Sequence, residues 1–258
     1  MSAGLGKNRI VKRLQPLIGA AVLVFLWWLA SEGRLVDPVL LPTPGESWHA
    51  FVSGLTEGTL WNDFWRTIVR TTVSFAIAII VAVPIGVFLG SSETVYRSVE
   101  FSVDFFRSTP ASALFPLFLV IFGVGEEAKI AVAAFGAALI IVFNTAYGVM
   151  NARKQRQLAA KVMGAPRVRI LTDVTIWESL PQTFVGMRSG ISIALVIVIV
   201  AEMFIGSTDG LGQRIINAQM IFDMPEMYAS IFAAGALGYG LNLLFIILER
   251  RFVHWGGK

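Results

Sequence analysis

Long apolar blocks separated by polar connectors constrain this chain more than any other feature of its sequence. A bilayer core about 30 Å thick is spanned by about 20 apolar residues in a helix. Six blocks can serve as spans, at residues 17–30, 71–89, 111–122, 130–149, 190–205 and 229–248. The third block crosses only if Phe105 and Phe106 are included, or if protein rather than lipid surrounds it. The sequence therefore predicts an all-α membrane protein, a bundle of about six transmembrane helices.

The composition also indicates a membrane protein. Hydrophobic residues make up 55% of the 258 positions and charged residues 15%, whereas a typical soluble domain has about 25% charged residues. The formal net charge is +4, but the basic residues are confined to a few connectors, so nucleic acid is not an expected partner. We expect a short N-terminal segment at 1–16, which is cytoplasmic, and one transmembrane domain at 17–258.

Several kinds of site are excluded by what the sequence lacks. There is no cysteine, so no disulfide or thiolate metal site can form. The two histidines, His49 and His254, are far apart in the chain. The phosphate-binding pattern G-x-x-x-x-G-K-[ST] is absent, so we do not expect this chain to hydrolyse ATP by that mechanism. The sequence predicts no catalytic, cofactor-binding or metal site within the chain itself.

The orientation is predicted from the lysine and arginine residues of the connectors, which are enriched on the cytoplasmic side. Three segments on one side of a six-span bundle are basic (Lys7, Arg9, Lys12, Arg13; Arg153, Lys154, Arg156, Lys161, Arg167, Arg169; Arg250, Arg251, Lys258). The opposite connectors are rich in acid (Glu32, Asp37, Glu46, Glu57, Asp63; Asp209, Asp223, Glu226). We therefore expect both termini in the cytoplasm. No small-x-small cleavage pattern closely follows the first block, so we interpret it as a retained span.

The connector at about 151–183 carries the most informative pattern. Residues 157–167 read Gln-Leu-Ala-Ala-Lys-Val-Met-Gly-Ala-Pro-Arg, and Leu180-Pro181 follows. Paired alanines favour a helix and present a small face that another protein can approach closely. Gly164 can end this helix in a left-handed conformation. Pro166 and Pro181 are expected to stop the helix from running through, which keeps this segment a separate element.

This connector resembles the loop that defines the permeases of binding-protein-dependent ABC importers, Glu-Ala-Ala-x3-Gly followed by proline motifs. Leu158 stands where that family usually has glutamate, and Trp177 stands where it has its first proline. In the family, the loop forms a cytoplasmic coupling helix that docks into a groove on the ATPase subunit. The resemblance assigns ATPase coupling to seven residues: Leu158, Ala159, Ala160, Gly164, Ala165, Pro166 and Arg167.

Weaker motifs resemble one branch of the family, the permeases for taurine, alkanesulfonate, nitrate and bicarbonate. They include residues 40–44, 107–110, 113–117, 201–202 and 210–212, and the resemblance extends from about residue 16 to 255. It implies a type I ABC importer permease fold in a bacterial inner membrane. It also implies three kinds of partner. These are a second permease copy in a homodimer, ABC ATPase subunits that bind ATP and magnesium, and a periplasmic or lipid-anchored substrate-binding protein.

Five polar or charged residues within or beside the blocks are candidates for the pathway or its gates: Arg107, Asn144, Ser192, Glu202 and Asn242. Glu202 lies well inside an apolar block, so it should face the bundle interior, pair with a base or be protonated. Arg107 is expected at the cytoplasmic entrance of the third span, where it closes an inner gate or extends to the lipid headgroups. For Glu202 and the uncharged candidates, the alternative is a structural role through hydrogen bonds between helices.

The expected function is a permease subunit that forms the translocation pathway for a small anion, such as a sulfonate, nitrate or bicarbonate, delivered by an external binding protein. A thiamine or riboflavin precursor is the alternative substrate. The rival class is a self-sufficient secondary transporter or a membrane enzyme. Such a protein would normally show paired charges at the midplane or an inverted repeat, and neither is visible in the sequence.

Overall fold

The computed structural model describes residues 3–253, and side chains from Ile18 onward. The chain forms eleven α-helices over this range: α1 Ala3–Glu32, α2 Pro44–Thr56, α3 Thr59–Gly90, α4 Glu93–Ser108, α5 Phe115–Phe122, α6 Glu126–Met150, α7 Lys154–Val162, α8 Arg167–Ile170, α9 Ile176–Phe204, α10 Leu211–Met220 and α11 Met224–Phe252. A 3₁₀ turn, Ala111–Leu114, precedes α5, and a π-helical turn, Leu171–Thr175, joins α8 to α9. His254, Lys258 and the side chains of Lys7, Arg9, Lys12 and Arg13 lie outside the described residues.

The predicted all-α membrane fold is confirmed. Within residues 3–253, four helical segments are long and apolar enough to cross a membrane, namely α3, α6, α11 and the continuous run Arg167–Phe204 that contains α9. The first predicted block contributes a shorter apolar helix, Ile18–Glu32. The third block crosses only together with α4, as a pair of helices bent by 91°.

The bend in the third span follows from its sequence. Thr109 adopts an extended conformation with ψ 125°, which is the conformation favoured by a residue that precedes proline. Pro110 has no amide hydrogen to donate to α4, so the helix stops there. The short 3₁₀ turn and α5 then restart the chain in a new direction, toward the beginning of α6.

Helix α6 is the centre of the bundle and packs along both α3 and α9. The contact depends on small residues, because small residues let helix backbones approach closely within a membrane. A Cβ atom added at Gly90 of α3 would lie 2.5 Å from the carbonyl oxygen of Ala146 on α6. On the other side, a Cβ atom at Gly190 of α9 would lie 2.9 Å from the Ile141 side chain. The buried core therefore runs through α6, with apolar side chains of α3 and α9 around it.

The connectors collect at two ends of the bundle. The Arg70 end contains the beginnings of α3, α6 and α11, the end of α9 and the whole of α10. The Gly164 end contains α7, α8 and the ends of α3 and α6. Helix α1 finishes at the Arg70 end, since the indole of Trp27 donates to the carbonyl of Pro42 at 3.0 Å and stacks on Tyr228 of α11.

The 40–44 motif has a local structural role at the Arg70 end. Thr43 caps α2 by accepting the amide hydrogen of Glu46, and the Glu46 carboxylate accepts the amide hydrogen of Thr43 at 2.8 Å. Pro44 occupies the first turn, where its missing amide hydrogen costs nothing. The motif therefore fixes where α2 begins.

The predicted limits of the connector at 151–183 are wrong at its C-terminal side. Pro181 does not end a helix, because it lies inside α9, which already begins at Ile176. A proline within a helix removes one backbone hydrogen bond and usually causes a bend. Ser179 and Thr183 on either side of it are buried against the bundle, and this packing holds the helix through the proline. The separate element of the connector is therefore α7 alone.

Candidate functional site

Helix α7 ends in the conformation that its glycine predicts. Gly164 has a φ of +83°, in the left-handed region that residues with a Cβ atom adopt only at a cost. Its amide donates to the carbonyl of Lys161 at 3.0 Å, and the amide of Ala165 donates to the carbonyl of Ala160 at 3.0 Å. These two bonds form a Schellman motif, which satisfies the last carbonyls of the helix. Pro166 then starts α8 in an extended conformation.

The exposed face of this segment is apolar, and we call it the α7 patch: Leu158, Ala159, Val162, Met163 and Val168. Large apolar side chains that are exposed next to basic residues are typical of a surface that another protein covers. Basic side chains surround the patch, and all are exposed (Lys154, Lys161, Arg167, Arg169). The sequence pattern missed Val162, Met163 and Val168, although Val162 follows Leu158 at helical spacing, four residues later.

Ala160 points the other way from its neighbour Ala159. Ala160 is buried against the chain, whereas Ala159 is exposed. Of the two alanines that define the pattern, Ala159 can therefore meet a partner directly, and Ala160 lets α7 lie close to the rest of the connector. Glu178 of α9 holds α7 in place, because its carboxylate pairs with Arg156 and lies 3.7 Å from Arg153.

A second cluster, the Arg70 network, occupies the opposite end of the bundle. All five N–H donors of the Arg70 guanidinium are used. Two donate to the carboxylate of Glu126 at 2.6 and 2.8 Å, one donates to Glu202 at 2.8 Å, and two donate to Asp209, to its carboxylate and to its carbonyl. The Arg70 side chain is only 4% exposed. Such a cation is stable in the interior only because every donor has an acceptor.

Glu202 is fully buried at the centre of this network, with an exposed fraction of 0%. Besides Arg70, its carboxylate accepts the Thr67 hydroxyl at 2.9 Å and the amide of Gly212 at 2.9 Å. The same Thr67 hydroxyl accepts the amide of Leu211 at 2.9 Å. Glu202 therefore faces the bundle interior and pairs with a base, which are two of the three arrangements predicted for it. It connects α3 and α9 to the beginning of α10.

Further bonds attach α10 to the Arg70 end. The amide of Gly210 donates to Asp63 of α3 at 2.8 Å, and Arg214 bridges Asp63, at 3.1 Å, and Glu226 of α11. Burial by itself would lower the pKa of Arg214, but its hydrogen bonds and its attraction to Glu226 and Asp63 raise that pKa above the ordinary value. Lys129 is also buried and donates to Glu126 at 3.1 Å and to Ser207 at 3.0 Å.

Sequence reasoning missed the bases of this network, Arg70 and Lys129. Arg70 lies directly before the second apolar block, so it belongs neither to the apolar pattern of the span nor to the acidic pattern of the connector. A signal was present, because Glu202 and Asp209 together require a base at the same end of the bundle. Arg66 and Arg70 stand one helical turn apart at that end, and Arg66 also reaches Asp209, at 3.3 Å.

The uncharged pathway candidates do not meet at one site. Asn144 donates to the carbonyl of Ile140 at 2.9 Å and accepts from Gln182 of α9 at 2.8 Å, so it joins two helices. Ser192 donates to the carbonyl of Arg188, one turn earlier on α9, at 3.2 Å. Asn242 is half-buried on α11. The bond between Asn144 and Gln182 matches the structural alternative, whereas Ser192 bonds within its own helix.

Arg107 lies against the C-terminal part of α6. Its guanidinium carbon is 4.1 Å from the centre of the Phe143 ring on α6, and one of its amino groups is 3.1 Å from the carboxylate of Asp104. Phe143 is seven residues before the end of α6 at Met150, which corresponds to about 10 Å along the helix. The guanidinium therefore lies at the depth of the helix interior.

The sequence matches known families along most of its length. The family model described as "Binding-protein-dependent transport system inner membrane component" matches residues 82–255, which include the α7 patch and Glu202. The probable ABC transporter permease protein BMEII0107 of Brucella melitensis is 31% identical over 252 residues, which cover 98% of each chain. The taurine transport system permease protein TauC of Escherichia coli is 27% identical over 92% of this chain and 88% of TauC.

The fold is also similar to that of solved transporters. A structure of the MetNI methionine ABC transporter in an inward-facing conformation has a TM-score of 0.68 and 23% sequence identity, covering 76% of this chain and 98% of that one. A likeness at this identity supports the architecture of the bundle. The family match and the relatives go further, because they rest on sequence and the residues that the family model matches include the connector at α7. This chain therefore belongs to the family of binding-protein-dependent transport system inner membrane components, the permease subunits of ABC importers.

Proposed function

We propose that this chain forms one half of the translocation pathway of an importer for a small organic anion of the sulfonate class, and that the α7 patch couples it to a separate ATPase subunit. The observation that carries the proposal is the exposure of this apolar surface on a short helix outside the bundle. A monomer gains nothing from such a surface, whereas a docked partner would bury it.

The composition of the patch supports a contact that is mainly apolar. Leu158 replaces the glutamate usual in the family, and Val162 and Met163 extend the apolar surface beside it. The exposed lysine and arginine residues around it suit a groove with an acidic rim. In this proposal ATP and magnesium are bound by the ATPase subunit, and the permease chain holds no cofactor of its own. Ala159 lies in the contact, while Ala160, Gly164, Ala165 and Pro166 set the position of α7, and Arg167 contributes to the rim.

The proposal places the Gly164 end in the cytoplasm, and both chain termini with it. Exposed basic residues concentrate at this end, at α7, α8 and the end of α11, which agrees with the cytoplasmic enrichment of lysine and arginine. The Arg70 end then faces the external binding protein. Helix α2 and the beginning of α3 at this end carry the exposed tryptophans Trp48, Trp61 and Trp65, which suit the interface between lipid and water.

A second copy of the chain completes the pathway in this proposal, so the permease is a homodimer. ATP binding closes the ATPase dimer, the two α7 helices move with it, and the pathway opens toward the binding protein. The driving force is the higher affinity of ATP for the closed state, because a ligand shifts an equilibrium only by its differential affinity for the two states.

The substrate class is supported by the relatives. TauC of Escherichia coli is named as a taurine transport permease, and SsuC of the same organism, 28% identical over 94% of this chain, is named as a putative permease for aliphatic sulfonates. The riboflavin transport permease RibX of Chloroflexus aurantiacus, 31% identical over 58% of this chain, favours riboflavin or its precursors as the second candidate. Uptake of radiolabelled taurine and of riboflavin by reconstituted complex decides between them.

The coupling role is tested with two matched valine substitutions. Val162, in the α7 patch, is 81% exposed, and Val124, at the Arg70 end, is 78% exposed. Val162→Glu should place a charge in the apolar contact, so the ATPase should no longer co-purify with the permease and uptake should be lost. Val124→Glu should leave co-purification unchanged. Equal retention of the ATPase by both variants would contradict the assignment of the α7 patch.

A further inference from the structure

A cavity of about 350 Å³ opens beside the break in the third span. Its polar lining comes from the break itself, with Arg107 and Ser112 on either side of Pro110. The opposite walls are apolar and come from Leu139 and Ile140 of α6 and from 193–200 of α9. Residues 136–140 bracket the midpoint of α6, so the cavity lies at half depth in the bundle. Its volume falls in the range of small-molecule sites, about 300–1,000 Å³.

Arg107 is the cation of this cavity, and it is only partly neutralised. Its side chain is 40% exposed, and its one ion pair within the described part of the chain is with Asp104, which is itself half exposed. An arginine has five N–H donors, and a pair of this kind uses one edge of the guanidinium. The flat face rests on Phe143, which leaves the other edge directed away from both partners. Arginines that lie among apolar helices of a membrane protein without full pairing are costly, and they mark functional sites by default.

We propose that this cavity is a transient binding station for the anionic head group of the transported solute, and that Arg107 binds it. The inference rests on the proposed import of a small organic anion. The guanidinium offers two parallel N–H donors to an oxyanion such as a sulfonate or carboxylate, and the apolar walls accept a short alkyl chain. Asp104 competes with the anion for Arg107 and keeps the affinity low. A pathway requires such weak binding, because the solute must leave as well as enter.

The absence of cysteine in the sequence allows a direct test in the whole complex with its ATPase, in membrane vesicles. Ser112→Cys places one thiol on the cavity wall. Its rate of reaction is measured with an anionic sulfonate-bearing methanethiosulfonate reagent and with a cationic ammonium-bearing one. The anionic-to-cationic rate ratio should fall about tenfold when Arg107→Gln is added, the size expected for one fixed charge about 6 Å away in water-like surroundings.

Matched variants make the result specific to Arg107. Arg188 also has a 40% exposed side chain and one carboxylate partner, Glu249, at 3.9 Å, but it does not line the cavity, so Arg188→Gln should leave the rate ratio unchanged. Arg107→Lys should preserve the ratio if Arg107→Gln fails to fold. Asp104→Asn should raise it, since it frees the guanidinium. The proposal is overturned if Arg107→Gln and Arg188→Gln change the ratio equally, or if the thiol introduced by Ser112→Cys stays unreactive with and without ATP.

A separate measurement distinguishes failure of this inference from failure of the proposed substrate. Taurine at increasing concentration should slow labelling of the introduced thiol by the anionic reagent, and Arg107→Gln should abolish the protection. If the charge selectivity depends on Arg107 but neither taurine nor ethanesulfonate protects the thiol, the cavity binds anions and the proposed sulfonate substrate is wrong. Protection by taurine that persists in Arg107→Gln would keep the substrate and refute the role of Arg107.

Discussion

The charged side chains at the two ends of the bundle are arranged in opposite ways. At the Arg70 end, Arg70, Lys129 and Glu202 are buried and every donor of Arg70 is paired within the chain. At the Gly164 end, apolar side chains of the α7 patch are exposed and the charged ones around it face outward. A buried network in which every donor has an acceptor needs no partner, whereas an exposed apolar surface is stabilised when a partner covers it. The chain therefore satisfies the Arg70 network by itself, and the exposed α7 patch supports the proposal that another protein covers it.

The largest expected effect comes from removing the central carboxylate of the Arg70 network. Glu202→Ala removes one of the three carboxylate partners of Arg70 and leaves the amide of Gly212 without its acceptor, and a broken buried pair costs about 3–5 kcal/mol. We expect loss of the assembled complex, measured by yield and thermal unfolding. Glu202→Gln keeps the shape and one of the two accepting oxygens, so it should retain assembly and most of the uptake that Glu202→Ala loses.

An exposed pair provides the control for Glu202. Among the side chains that the structure describes, Glu93 pairs only with Arg97, one turn away and equally exposed, so Glu93→Gln should change neither yield nor uptake. The structural role of Glu202 would be contradicted if Glu202→Gln abolished transport in an intact complex. That outcome would mean that the ionised charge itself takes part in transport.

Glycine substitutions should separate the two ends by their kind of defect. A Cβ atom at Gly212 would lie 2.1 Å from the carbonyl oxygen of Ile199, so Gly212→Ala should displace α10 and cost about 1–3 kcal/mol of stability. Gly164 has open space around it, so Gly164→Val should leave the bundle folded and strain only the end of α7. ATP hydrolysis should then continue with reduced uptake, measured in proteoliposomes.

Gly235 on α11 is the matched control for both glycines, since a Cβ atom there meets nothing within 4 Å and the position is helical. Gly235→Ala should be neutral or stabilise by up to about 1 kcal/mol. If Gly164→Val lowered the unfolding temperature as much as Gly212→Ala, the claim that the two ends differ in the kind of defect would be wrong.

The smallest expected effect concerns the attachment of α7 to α9. Arg153 and Arg156 are both largely exposed where they pair with Glu178, and exposed pairs contribute about 0–1 kcal/mol. Arg156→Gln should lower uptake by less than about twofold, and high salt should reduce the wild type to the same rate. A loss that is equally large at all salt concentrations would show that Arg156 contacts the partner directly.

The sequence predicted the fold class, the connector motif and the left-handed glycine, because apolar block length, alanine pairs and glycine are local signals. It predicted that Glu202 is buried but not which base it meets, since Arg70 and Glu202 are brought together only by the packing of α3 against α9. The role of Pro181 was predicted wrongly for the same reason. Tertiary packing around Ser179 and Thr183 outweighs the local tendency of proline to end a helix. Which face of α7 is buried, and therefore that Ala160 is buried while Ala159 is exposed, also depends on packing.

The continuous helix from Arg167 to Phe204 directly connects the two ends of the bundle. Its 38 residues correspond to about 57 Å, with the α7 connector at one end and Glu202 near the other. The part of this helix that should bend most easily lies near its beginning, where the π-helical turn Leu171–Thr175 and Pro181 are within a few residues of each other. The part after Pro181 has no such interruption. We expect the stiffness of the segment from Leu171 to Pro181 to determine how much of a displacement of α7 is transmitted along the helix to the Arg70 end.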